Sequence, residues 1–134
     1  MTVPRPEQFR RAYGFDEVAI VPGDFTVNPD QTSIDLTIGG LTFAIPIVAA
    51  AMDGVTDVSF CAAMSRLGGL GVLNLEGVHT RYERPEEVLL EITRASKEAV
   101  TPLLQKVYAA PVKKGLVGER VRAIKKAGGV CAVS

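Results

Sequence analysis

The sequence predicts an α/β fold built on a parallel sheet, and three observations carry that prediction. Two apolar runs, around Ile47–Ala50 and Leu70–Leu75, are nearly continuous rather than alternating, as in strands buried on both faces. Between them lies a small-residue segment of helical length. The joint "RLGGLGVLNL" (66–75) then returns in outline as "KAGGVCAVS" (126–134), a basic residue near a Gly-Gly pair followed by an apolar strand. Helix-end-to-strand joints that recur along a chain are the rhythm of a parallel sheet, and its crossovers are right-handed.

The elements follow in order. "DEVAIVP" (16–22) is a short apolar segment closed by Pro22, and "GDFTVNPDQTS" reads as loop. In "IDLTIGGLTFAIPIVAA" the Gly39-Gly40 pair between alternating residues signals a two-residue hairpin. Its second arm leads into a strand over Ile45–Ala50. Thr56 is a good N-cap, and Asp57 suits the positive end of a helix predicted over Asp57–Leu67 and stopped by Gly68. A strand over Leu70–Leu75 comes next. Pro85, Glu86 and Glu87 open a helix whose apolar residues Val88, Ile92, Ala95 and Ala99 keep helical spacing, with Pro102 as its interruption. Val117, Val121, Ile124 and Ala127 mark an amphipathic helix, Gly118–Ala127. Its other face holds Arg120, Arg122, Lys125 and Lys126, and a strand over Val130–Val133 follows.

Composition narrows function. The 134 residues are 47% hydrophobic and 22% charged, enough apolar material for one packed domain. Fifteen basic residues balance fifteen acidic ones, which argues against a nucleic-acid partner. The longest apolar stretch, "FAIPIVAAAM", falls far short of the roughly 20 residues a membrane helix needs, and "MTVPRPEQFRR" has no signal core. Cys61 and Cys131 sit among apolar residues and read as reduced thiols of a cytoplasmic protein. With one histidine, His79, and no CxxC or HExxH, no metal site is expected. His79 itself reads as a solvated loop residue, the basic stripe Lys113–Lys126 as a solvated helix face, and Tyr82 and Tyr108 carry no signal.

Both a doubly wound sheet and a (β/α)₈ barrel fit this rhythm. The dinucleotide fingerprint of the former is absent: Gly69-x-Gly71 is followed by Asn74 in place of the third glycine, and by a strand instead of a helix. The barrel is the better reading. In barrels the functional site lies at the C-terminal ends of the strands. Met52 and Asp53 end the first strand, and Asn74 and Glu76 end the second.

The motifs "YGFDEVAIVPG", "IPIVAAAMDGVTD" and "GGLGVLNLEG", in that order over residues 13–77, resemble the opening of the IMP dehydrogenase/GMP reductase family. The ending "LNLEG" and the run of ordinary elements from Glu86 to Ser134 resemble the IMP dehydrogenase-related branch, which lacks the CBS domain pair. The resemblance implies that residues 1–134 are the N-terminal portion of a (β/α)₈ TIM barrel, incomplete and without CBS domains. It implies an oxidoreductase of purine nucleotide metabolism: IMP to XMP with NAD, or alternatively GMP to IMP with NADPH. A third alternative is a non-catalytic fragment that docks on another barrel piece. It further implies a purine nucleotide (IMP, XMP or GMP) as ligand, NAD or NADP as cofactor, potassium in the complete enzyme, and a homotetramer.

The family's methionine lies against the nucleotide base, a role the resemblance carries to Met52. Relatives have a nucleotide-binding serine two residues earlier; here that place is Ala50, which has no hydroxyl. Asp53 joins the substrate-binding set mainly as a turn-shaping residue, and Asn74 and Glu76 form the cofactor side or rim. The family's catalytic cysteine sits on a Gly-rich loop after a later strand. Neither Cys61 nor Cys131 matches it, so no catalytic residue is assigned, and the chain alone is expected to be inactive.

Overall fold

The computed structural model describes residues 10–134. They divide into two units, one up to Ser33 and one from Ile34 to Ser134. In the first, the Asp16–Pro22 segment forms neither helix nor strand. A short 3-10 turn spans Pro29–Gln31, with the Gln31 side chain returning to the Asn28 N–H.

The second unit holds every strand of the described residues. β1 (Leu36–Ile38) and β2 (Leu41–Phe43) pair antiparallel, with Ile38 opposite Leu41. Gly39 and Gly40 take φ of 57° and 81°, the left-handed pair that a tight hairpin turn needs. The predicted hairpin is therefore present. β3 (Val48–Ala49), β4 (Leu70–Leu73) and β5 (Ala132–Val133) form a second sheet in that order, with both pairings parallel. Each strand is shorter than expected from its apolar run.

α1 (Val58–Arg66) crosses from β3 to β4. Its N-cap is Asp57, not Thr56: the Asp57 carboxylate accepts the Phe60 N–H at 2.6 Å. Thr56 is buried and does something else, described below. α1 ends where Gly68 turns back at φ 86°, with Ala44 so close that a side chain at Gly68 would collide with it.

Between β4 and β5 run four helices: α2 (Val78–Arg81), α3 (Pro85–Arg94), α4 (Lys97–Ala109) and α5 (Lys114–Lys126). α2 was not anticipated. The single helix expected over Pro85–Ala99 is two. It breaks at Ala95, whose backbone is extended, and Ser96 restarts it by accepting the Ala99 N–H. Pro102 does not interrupt; it lies inside α4. α5 begins four residues before the expected Gly118. Among the described residues no helix is long and apolar enough to cross a membrane.

The core sits where α1 and α5 cover the sheet. Cys61, Leu73 and Ile124 are fully buried together, and Val58, Leu75 and Cys131 pack around them. Glycines permit the close approach. A Cβ on Gly71 would stand 2.9 Å from the Cys61 Cα, and one on Gly69 would stand 2.8 Å from Met64 Cε. Three parallel strands in sequence order, with helices in the crossovers, are the α/β architecture of the N-terminal portion of a (β/α)₈ barrel.

Candidate functional site

Two loops leave the C-terminal ends of neighbouring parallel strands, residues 50–57 after β3 and 74–77 after β4. Each is closed by a buried threonine. The Thr56 hydroxyl donates to the Ala50 carbonyl at 2.6 Å, and the Thr80 hydroxyl donates to the Leu75 carbonyl. Both threonines are 0% exposed, and each buried hydroxyl finds its own partner in a strand-end carbonyl. The Met52 carbonyl accepts the N–H groups of Val55 and Thr56, both at 2.9 Å, which tightens the first loop into a turn.

Asp53 joins the two loops. Its carboxylate accepts the Val78 N–H at 2.8 Å, the Asn74 side-chain amide at 3.2 Å and the Tyr108 hydroxyl at 2.6 Å. Its carbonyl oxygen lies 3.1 Å from His79 Nε2. The donors come from the end of β4, the start of α2 and the last turn of α4. A carboxylate that accepts from three donors is fixed in orientation. This is a turn-shaping role, as expected for Asp53, but its reach across two strands and a distant helix was not legible locally.

The remaining expected residues distribute as follows. Met52 is 58% exposed and stands beside Asp53 on a hydrogen-bonded turn. Ala50 is exposed at the mouth of β3, with its carbonyl taken by Thr56. Asn74 is half-buried, and both ends of its amide are engaged, Nδ2 with Asp53 and Oδ1 with the Glu76 N–H at 3.0 Å. Glu76 is exposed at the loop tip. Met52 and Asp53 line one wall of an open cavity of about 570 Å³, with Leu89, Ile92, Leu104 and Tyr108 from α3 and α4 opposite.

Four residues read as uninformative turn out to build this corner. His79 is 3% exposed, not solvated: its ring nitrogen lies against the Asp53 carbonyl, and the Arg120 guanidinium donates to the His79 carbonyl at 3.1 Å. Arg120 is accordingly no solvated stripe residue: its side chain is only 16% exposed, and it also donates to the Glu83 carbonyl. Tyr108 and Tyr82 both place their hydroxyls on acceptors, Asp53 and the Val107 carbonyl. Burial, together with the neighbouring Asp53 carboxylate, pushes the Tyr108 phenol up to about 12, so it is the donor of its bond. A partner far along the chain leaves no local pattern. The one available signal was the polar run "HTRY" (79–82) shortly after an apolar strand.

The cysteines lie in the body of the fold. Cys61 is buried on α1, and burial, with smaller contributions from Cys131 and Asp57, raises its thiol to about 11. Burial raises Cys131 as well. Both are free thiols, Cys61 within the core and Cys131 packed against it. Among the described residues, no three His, Cys, Asp and Glu side chains stand together as metal ligands.

Residues 12–131 match the sequence profile of the IMP dehydrogenase / GMP reductase domain. A Mycolicibacterium smegmatis protein named as an uncharacterized oxidoreductase is 37% identical over 129 residues, 92% of this chain and 34% of that protein. An inosine-5'-monophosphate dehydrogenase of Methanocaldococcus jannaschii is 46% identical over 65 residues, covering 48% of this chain and 13% of that one. The crystal structure of an IMP dehydrogenase/GMP reductase-like protein from Corynebacterium glutamicum superimposes with a TM-score of 0.81 at 29% identity, over 92% of this chain and 34% of that chain. The chain thus spans about a third of the length of the relatives that it matches along most of its own.

Proposed function

The chain belongs to the IMP dehydrogenase / GMP reductase family, and on that premise we propose that it forms the opening portion of an IMP dehydrogenase-like oxidoreductase, converting IMP to XMP with NAD in guanine nucleotide synthesis. The observation that carries the reading is Met52: a largely exposed thioether at the C-terminal end of a parallel strand, on a turn immobilised by Asp53. A polarizable, unbranched side chain on a fixed backbone is suited to lie against a flat purine.

In this reading Met52 contacts the base, and Ala50 leaves room beside it without supplying a hydroxyl. Asp53 holds the turn and moves no proton, since its carboxylate is occupied by three donors. Asn74 braces Asp53, and Glu76 stands at the rim. Residues 1–134 act as one barrel portion without a CBS pair, in a cytoplasmic homotetramer. Neither cysteine serves as nucleophile: Cys61 is enclosed on α1, and Cys131 packs against the same core.

The described residues do not by themselves fit a dinucleotide. Gly69, just before the strand that leads into the second loop, and Gly71, within it, face Met64, Ile47 and Cys61 and have no free space for a pyrophosphate. The chain alone is therefore expected to be inactive.

The test is to read the coding region past Ser134, express the complete protein, and follow NADH formation from IMP and NADPH loss with GMP. NADH formation from IMP supports the proposal. Exclusive NADPH loss with GMP makes the protein a GMP reductase instead. Turnover of neither nucleotide overturns the reading.

A further inference from the structure

The last turn of α4 reaches both strand-end loops. Tyr108 Oη donates to Asp53 Oδ2 at 2.6 Å, in the turn that carries Met52. Two residues on, the Ala110 carbonyl accepts from the Arg81 guanidinium, whose Nε donates at 3.0 Å to the Glu76 carbonyl in the loop after β4. The Arg81 guanidinium also stands 5.9 Å from the centre of the Tyr108 ring. Two separate threads therefore tie one helix end to the two loops that hold Met52, Asp53, Asn74 and Glu76.

We propose that Tyr108 is a positioning residue for this site, acting through Asp53 to fix the Met52 turn and the Asn74 side chain. The proposal rests on the reading of Met52 as the base contact. The physical argument lies in how Asp53 is shared. Oδ2 takes both the Val78 N–H and the Tyr108 hydroxyl, while Oδ1 takes the Asn74 amide. Without the hydroxyl, Oδ2 keeps only the Val78 N–H and Oδ1 the Asn74 amide, with nothing left to hold the carboxylate toward α4, so it can reorient. Asn74 must follow Oδ1, and Met52 shares a peptide bond with Asp53, so both respond. The Tyr108 side chain is substantially exposed, and water can replace much of what its bond gives to folding. The consequence is therefore read in local geometry rather than in stability. A tyrosine that merely anchored α4 would, when changed, loosen that helix and leave Met52 where it is.

The chain has three methionines, and Met64 is buried on α1, away from these loops. With methyl-labelled methionine in the complete protein, and the Met52 methyl assigned by its loss in Met52→Ala, Tyr108→Phe should shift the Met52 methyl resonance and the Asn74 side-chain amide pair. The Met64 methyl should stay in place and the melting temperature should hardly change. Unmoved Met52 and Asn74 signals overturn the proposal, whatever happens to melting. In an Asp53→Asn background the same Tyr108→Phe change should add little at Met52, because the route has already been altered. An undiminished shift there overturns the route through Asp53. Should Asp53→Asn fail to fold, the single Tyr108→Phe comparison decides alone. None of these measurements uses a nucleotide. Failure of the base-contact reading shows itself separately, as nucleotide affinity unchanged by Met52→Ala.

Discussion

The Asp53 carboxylate occupies the space that a side chain at Gly77 would need. Gly77 has φ −89°, an ordinary value, so glycine is required there by its neighbour and not by its backbone. The approach lets Asp53 accept the Val78 N–H at the start of α2.

Gly77→Ala should therefore displace Asp53 and break that bond. Hydrogen bonds to charged groups contribute about 1.5–3 kcal/mol, and the site is partly solvated, so a loss of about 2 kcal/mol is expected. Urea unfolding checks it, as a lower midpoint at unchanged slope. A midpoint equal to that of the parent would mean that the Asp53 turn relaxes freely.

Met52→Ala should separate binding from stability. The side chain is more than half exposed, so its loss should alter unfolding by no more than about 0.5 kcal/mol. In the complete enzyme, loss of part of an apolar contact should weaken nucleotide binding roughly tenfold, equivalent to about 1.4 kcal/mol. Isothermal titration with IMP and with NAD checks both, the cofactor being the less affected. A fall in stability with unchanged nucleotide affinity would make Met52 a packing residue.

Asp53→Asn should lower stability, because an amide presents donors where three donors already point. The shape of the pH–rate profile of the complete enzyme should persist. Disappearance of one limb of that profile would make Asp53 an acid–base participant.

Alkaline stability should depend on Cys61. Its folded value is raised to about 11 from the ordinary 9.0. Below about 9 the thiol is protonated in both states. Between about 9 and 11 the unfolded thiol ionises while the folded one stays protonated, so the unfolded state binds fewer protons and stability falls as pH rises. Cys61→Ala lowers stability overall by leaving a cavity, but should flatten that decline. Tyr108 contributes in a higher window, ending near 12. Denaturation midpoints at pH 8, 9.5 and 10.5 in both proteins check the slope. Parallel declines would count against the burial argument.

What the sequence made legible was local. Gly39-Gly40 announced the hairpin, because only a few residue types accept two successive positive φ values. The apolar runs announced parallel strands, and Gly68 ended α1 as expected. The break at Ala95–Ser96 was hidden because Val88, Ile92, Ala95 and Ala99 keep helical spacing straight through it. Ser96 held the signal as a cap, while Pro102, given the break by its chemistry, sits within α4. The site was legible as positions and not as connections. Met52, Asp53, Asn74 and Glu76 do cluster after adjacent strands, but the groups that brace this corner from outside are Tyr108, 55 residues from Asp53, and Arg120, 41 residues from His79. No periodicity records such pairs.

The contact of Cys61 with Gly71 has one more consequence. The thiol is fully enclosed, and its Sγ would stand 3.0 Å from a Cβ at Gly71, so no alkylating reagent reaches it while α1 lies on β4. Each modification at Cys61 must then follow an excursion in which helix and strand part. In the regime where reclosing is faster than labelling, its rate at a given reagent concentration measures the free energy of that local opening. The protein thereby carries a native clock for the breathing of its first crossover, readable by mass without adding a probe.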